Sequence, residues 1–119
     1  RIVPLVEHQR FENVIHGGII STVLDEAMAW ATAAAGAWAV TGEMCIRFRA
    51  PLRVGQATTV SASIESQRAR LINATATLAR DADGATIATA SASFLRVDRF
   101  TADAWRQRYL VPDAGADAW

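Results

Sequence analysis

An α+β fold, one alanine-rich helix packed against an antiparallel sheet, is predicted by three features of the 119-residue chain. A Pro-free run rich in Ala, Leu and Met extends from Gly18 to Ala35, the composition of a helix. Beyond it the apolar residues recur every second position, the period of strands with one buried face. The tetrapeptide Asp81-Ala82-Asp83-Gly84 then marks a tight turn between two such strands.

In chain order, Pro4 argues against a central strand at the start, while Leu5 to Phe11 leaves room for a short one. Asn13 and His16 precede the helix, and Gly36 and Gly42 bracket its exit. Ile19, Ile20, Val23, Leu24, Ala27, Met28, Trp30 and Ala31 cover most of its circumference, so no face is fully polar and protein is expected on most sides. Met44, Ile46 and Phe48 then alternate with charged or small residues until Pro51. Further strands are expected over 56–67, 68–80 and 85–97, antiparallel neighbours because the links are short. Ala74, Ala76, Ala88, Ala90 and Ala92 would let the helix approach this sheet closely. From about residue 98 the strand period is lost, and a short helical turn near Ala102 to Tyr109 followed by a loose tail is expected. A single domain over 1–119 accommodates all of this.

Acidic and basic residues balance at 12 each, so no global field favours nucleic acid or an anionic membrane. Every basic residue is Arg, whose planar fork suits carboxylates and phosphates. The single Cys45 with His8 and His16 is too sparse for a structural zinc site and fits a reducing, cytoplasmic setting. The apolar run 27–40 is too short to span a bilayer. The chain starts at Arg1 rather than Met, which leaves room for an upstream piece.

Chemistry is concentrated in Asn13-Val14-Ile15-His16-Gly17-Gly18 and in Asp25-Glu26. Two glycines at a helix entrance leave first-turn amides free to hold an anion or a developing oxyanion. Asp25 follows Gly17 by eight residues, about 12 Å along a regular helix, too far for both to hold one carbonyl within a single chain. A two-fold partner would bring its own Asp25 opposite Gly17. A carboxylate in so apolar a helix is costly unless partnered; pairing with an Arg, or capping of backbone amides, is the competing account, as a local hydrogen bond is for His16.

The stretch HGGIISTVLDEAMAWA at 16–31 closely resembles the signature of the hotdog-fold acyl-CoA thioesterases of the PaaI-like, phenylacetate-type family. TGEMCIRFRAPLRVGQ at 41–56 and DGATIATASASFLRV at 84–97 continue the likeness. The resemblance implies a five-stranded antiparallel sheet, order 1-3-4-5-2, wrapped around a long central helix, in a homodimer or homotetramer. It also implies hydrolysis of an acyl-CoA thioester without a metal or redox cofactor. The catalytic residues it implies are Gly17, whose amide polarises the carbonyl; Asp25 of the other subunit, general base or nucleophile; His16, which shapes the pocket and orients the carbonyl; and Thr41, near a Ser or Thr that holds the hydrolytic water. Asn13, Gly18 and Glu26 fall in the substrate pocket. One departure is visible: relatives often carry Asn about six residues before the His, where this chain has Arg10. The alternatives are a noncatalytic hotdog oligomer that binds an acyl or aryl ligand or is purely structural, and a hydratase or dehydratase of the same fold, which the helix spacing disfavours.

Overall fold

The computed structural model describes residues 1–109. The long helix α1, Gly17–Ala34, lies against a four-stranded antiparallel sheet built from β3 (Ala39–Phe48), β4 (Thr58–Arg68), β5 (Leu71–Arg80) and β6 (Thr86–Arg96), in the order β3-β6-β5-β4. Two short strands, β1 (Gln9–Phe11) and β2 (Val14–Ile15), form a separate antiparallel hairpin ahead of the helix. A C-terminal helix, α2, covers Arg99–Tyr109.

The expected five-stranded sheet is therefore corrected to four strands plus a two-stranded hairpin. The first strand is missing because the chain pairs with β4 only at Ile2 and Thr58, exchanging two backbone hydrogen bonds of 2.8 Å. Pro4 follows immediately and has no N–H to extend the ladder, and a 3-10 turn at Val6–His8 takes the chain away from the sheet. Phe11, expected to end the first strand, belongs to the hairpin, whose turn holds Asn13 at φ 61°.

Helix α1 starts one residue earlier than expected and ends in a Schellman closure: the Gly36 amide donates to Ala33 and the Ala37 amide to Thr32, both at 2.9 Å. Gly36 has φ +85° there, a conformation that side-chain-bearing residues avoid. Ile20, Val23, Leu24, Met28 and Thr32 form its buried stripe. They face Ile72, Ala74, Ala76 and Leu78 of β5 and Ala88, Ala90, Ala92 and Phe94 of β6, the inward period-two positions of both strands. The expectation that protein surrounds most of α1 does not hold within one chain: Gly18 and Thr22 are exposed, and Ser21, Asp25, Glu26, Ala29 and Trp30 are only half-buried. One sheet covers one side of a helix. The C-terminal turn expected from Ala102 is a helix of 11 residues from Arg99; the rest of the expected tail lies outside the described residues.

The sheet's two edges differ. Beside β4 the edge is capped at Thr58 by Ile2, whereas β3 carries no neighbour on its outer side among the described residues.

Candidate active site

The entrance of α1 is fixed from two directions. The His16 amide donates to the His8 carbonyl at 2.8 Å, and the Ile15 amide to the Leu52 carbonyl at 2.9 Å. These bonds tie the helix start to the N-terminal turn on one side and to the segment after β3 on the other. His16 is the N-cap, its Nδ1 accepting the Gly18 amide at 2.7 Å. A Cβ on Gly18 would lie 2.9 Å from that Nδ1, so the second glycine is what lets the imidazole close over the helix end. The Gly18 amide is thus occupied, whereas the Gly17 amide has no acceptor among the described residues. At the first helical position the helix itself offers it no carbonyl.

A neutral imidazole has one acceptor nitrogen. The Gly18 amide takes Nδ1, and a second donor faces Nε2. That donor is the Arg10 guanidinium, Nη1 at 3.1 Å, which has only donors to offer. Arg10 thus sits beside His16, where it competes with the Gly18 amide for the single acceptor nitrogen of a neutral ring. Arg10 also lies over the Phe11 ring, 5.6 Å from its centroid.

A cavity of about 390 Å³ opens at Gly17. Its walls are Ile15, Ile20, Phe48, Pro51 and Leu52, with Arg49 as the one charged lining residue. The Phe48 ring leans over the helix entrance, 3.4 Å from where a Gly17 Cβ would be.

Two turns along α1, the Thr41 hydroxyl donates to Asp25 Oδ1 at 2.6 Å. This contact depends on a β-bulge. Thr41 pairs with Phe94 and Glu43 with Ser93, so Gly42 is an extra residue in β3. Continued back from Met44, Ile46 and Phe48, strict alternation would turn Val40 inward and Thr41 outward. The bulge reverses that parity, leaving Val40 exposed and Thr41 facing the helix. No Arg pairs with Asp25 among the described residues, and one of its carboxylate oxygens is oriented by the hydroxyl.

The remaining candidates lie elsewhere. Glu26 accepts the Trp30 indole N–H at 2.9 Å and lines a second cavity of about 320 Å³ with Trp30, Trp38, Trp105 and Tyr109, next to the Asp25–Thr41 pair in sequence but distinct from the Gly17 cavity. Asn13 occupies the hairpin turn, its amide donating to Gln9 Oε1 at 2.9 Å. The structure thus gathers His16, Gly17 and Gly18 at one place and Asp25 and Thr41 at another. The aromatic residues of α2 were not legible as site components, because their contacts are made between helices.

The carboxylates with shifted titration lie outside both places. Asp83, in the β5–β6 turn, is lowered to about 2 by the Arg80 guanidinium and the Ala85 amide. Asp98 is lowered by the amide and hydroxyl of Thr101 as it caps α2. Among the described residues no group of three His, Cys, Asp or Glu side chains is placed to hold a metal ion, and no helix is long and apolar enough to cross a membrane.

The sequence model of the thioesterase superfamily matches residues 12–88, from the hairpin turn through the first residues of β6. The chain belongs to the thioesterase superfamily. Solved structures agree in fold, which is hotdog-like. Zebra fish thioesterase superfamily member 2 superposes with TM-score 0.76 at 23% identity, over 81% of this chain and 71% of its own. The Escherichia coli PaaI protein of the phenylacetic acid degradation operon gives 0.77 at 21%, over 82% and 70%. A Bacillus halodurans protein solved with CoA gives 0.71 at 29%, over 77% and 66%. No curated protein matches significantly. The thioesterase domain so identified contains both the glycine entrance and the Asp25–Thr41 pair.

Proposed function

We propose that this thioesterase-superfamily chain hydrolyses acyl-CoA thioesters as a homo-oligomer, with the Gly17 amide holding the carbonyl oxygen and Asp25 of the partner subunit activating water or attacking the thioester. The observation that carries the reading is the division of labour at the helix entrance. His16 caps Gly18, while the neighbouring Gly17 amide is left without an acceptor at the edge of an open apolar cavity. A donor preorganised in this way stabilises the charge that develops on a thioester oxygen.

Assembly across the bare β3 edge supplies the carboxylate. An antiparallel pairing of two β3 strands centred between Met44 and Cys45 sets Thr41 of one copy opposite Phe48 of the partner subunit. Phe48 lies against Gly17 of its own chain, so the Asp25–Thr41 pair of one copy is brought to the helix entrance of the other. Two equivalent sites follow from the two-fold axis. Each combines an amide donor with a carboxylate oriented by a hydroxyl. The thiolate of coenzyme A is a good leaving group, so the step needs oxyanion stabilisation and an activated oxygen nucleophile. The Bacillus halodurans protein with CoA bound supports coenzyme A as the thiol half.

The reading is tested by free-thiol release from a panel of acyl-CoA thioesters. Saturable hydrolysis that is lost in Asp25→Asn while the oligomer survives is the expected result. Binding without turnover across the panel would replace the enzyme with an acyl-ligand carrier.

A further inference from the structure

The Gly17 cavity has an uneven chemistry. Its walls are almost wholly apolar, and among the described residues that line it the one charged side chain is Arg49. The base of Arg49 is held firmly: its own amide and that of Ala50 both reach the Ile87 carbonyl, at 2.8 and 3.2 Å, pinning the corner after β3 onto β6. Among the described residues its guanidinium makes no ion pair. The ion pairs among the described residues employ Arg1, Arg80 and Arg106, Arg96 engages Gln67, and Arg10 lies at His16. No other arginine lines this cavity.

A permanent cation in the lining of an open apolar cavity selects a ligand with a matching layout: an acceptor atom for the Gly17 amide, an uncharged stretch along the walls, and an anionic oxygen beyond. A coenzyme A thioester has this layout, since its uncharged pantetheine arm separates the reacting carbonyl from the phosphates. Arg presents a fork of donors that pairs with phosphate oxygens through charge-assisted hydrogen bonds. We propose that Arg49 is the residue that holds a phosphate of the coenzyme A half of the substrate, and so sets the specificity of the site for the full coenzyme over shorter thiols. The assignment rests on the thioesterase reading for the identity of the ligand, but its test does not depend on turnover.

The test is calorimetric titration of the full chain and of Arg49→Gln and Arg49→Lys with coenzyme A and, in parallel, with pantetheine, which lacks the phosphates. Arg49→Gln is expected to weaken coenzyme A about tenfold or more, the scale of a lost hydrogen bond to a charged group. Pantetheine affinity should stay within about twofold, Arg49→Lys should recover part of the loss, and the salt dependence of coenzyme A binding should flatten in Arg49→Gln. Coenzyme A binding unchanged in Arg49→Gln, or both ligands weakened by the same factor, overturns the assignment. Arg49-dependent coenzyme A binding by a chain that hydrolyses no thioester keeps this assignment and removes the proposed activity. Hydrolysis with Arg49-independent binding does the reverse.

Discussion

Thr41→Val removes one hydroxyl while keeping the β-branched shape that β3 favours, and it isolates what that hydroxyl does for Asp25. The bond is short, 2.6 Å from Oγ1 to Oδ1, and charge-assisted when the carboxylate is ionised. Such bonds contribute about 1.5–3 kcal/mol where water is excluded; the exposure of Thr41 argues for the lower end. If all of about 1.5 kcal/mol serves to orient the carboxylate in the transition state, kcat falls about tenfold. Asp25→Asn removes the base or nucleophile itself and is expected to lower kcat by about 100-fold or more. The double variant decides the matter. With no carboxylate left to orient, the hydroxyl has no further role, so the double variant should be no slower than Asp25→Asn alone, and the coupling should equal the whole Thr41→Val effect. The assay is thiol release at saturating acyl-CoA, with oligomeric state and thermal stability measured on the same preparations. Multiplying effects would show that Thr41 acts independently of Asp25. An Asp25→Asn oligomer with wild-type kcat would refute the carboxylate's role and leave the Gly17 amide as the remaining element of the mechanism.

Gly18→Ala should lower the melting temperature relative to Gly17→Ala, because its Cβ displaces the capping imidazole and a lost N-cap costs about 1 kcal/mol, whereas the Gly17 Cβ meets only the far end of the Phe48 ring; equal melting temperatures would contradict the cap. Sedimentation at micromolar concentration should find at least a dimer, since the bare edge of β3 invites pairing; a monomer would remove the two-fold site. Asp83, lowered to about 2 by Arg80 and the Ala85 amide, stabilises the turn above the unfolded carboxylate's ordinary value near 3.8. That contribution is lost as pH falls from about 4 towards 2, so the melting-temperature difference between wild type and Asp83→Asn should shrink across that window; a difference independent of pH would count against it.

Some of the site could be read along the chain because its causes are local. The Gly17-Gly18 pair marks a helix entrance whatever packs around it, and Gly36 closes the same helix because its φ of +85° is available to glycine without strain. The inward positions of β5 and β6 follow from a two-residue period that any strand with one buried face must show. Asp25 stood out as a carboxylate among apolar neighbours. Pro4 argued against a central strand at that point, but the short strand expected over Leu5 to Phe11 went to a separate hairpin instead.

Other parts were decided only when distant segments met. Thr41 reaches Asp25 because β3 takes up an extra residue at Gly42 against Phe94 and Ser93 of β6. A bulge is a property of two paired strands, and the alternation of Met44, Ile46 and Phe48 read alone puts Thr41 on the wrong face. Arg49 was one of several arginines of equal standing in the sequence, until the Ile87 carbonyl fixed its backbone in the lining of the Gly17 cavity. His16 was a lone histidine until the hairpin set Arg10 against one ring nitrogen and the helix amide against the other. Periodicity and local conformational preference report what a residue does with its near neighbours. Which side chains share a site depends on pairing register and on contacts between segments far apart in the chain, and those are determined by the packed structure as a whole.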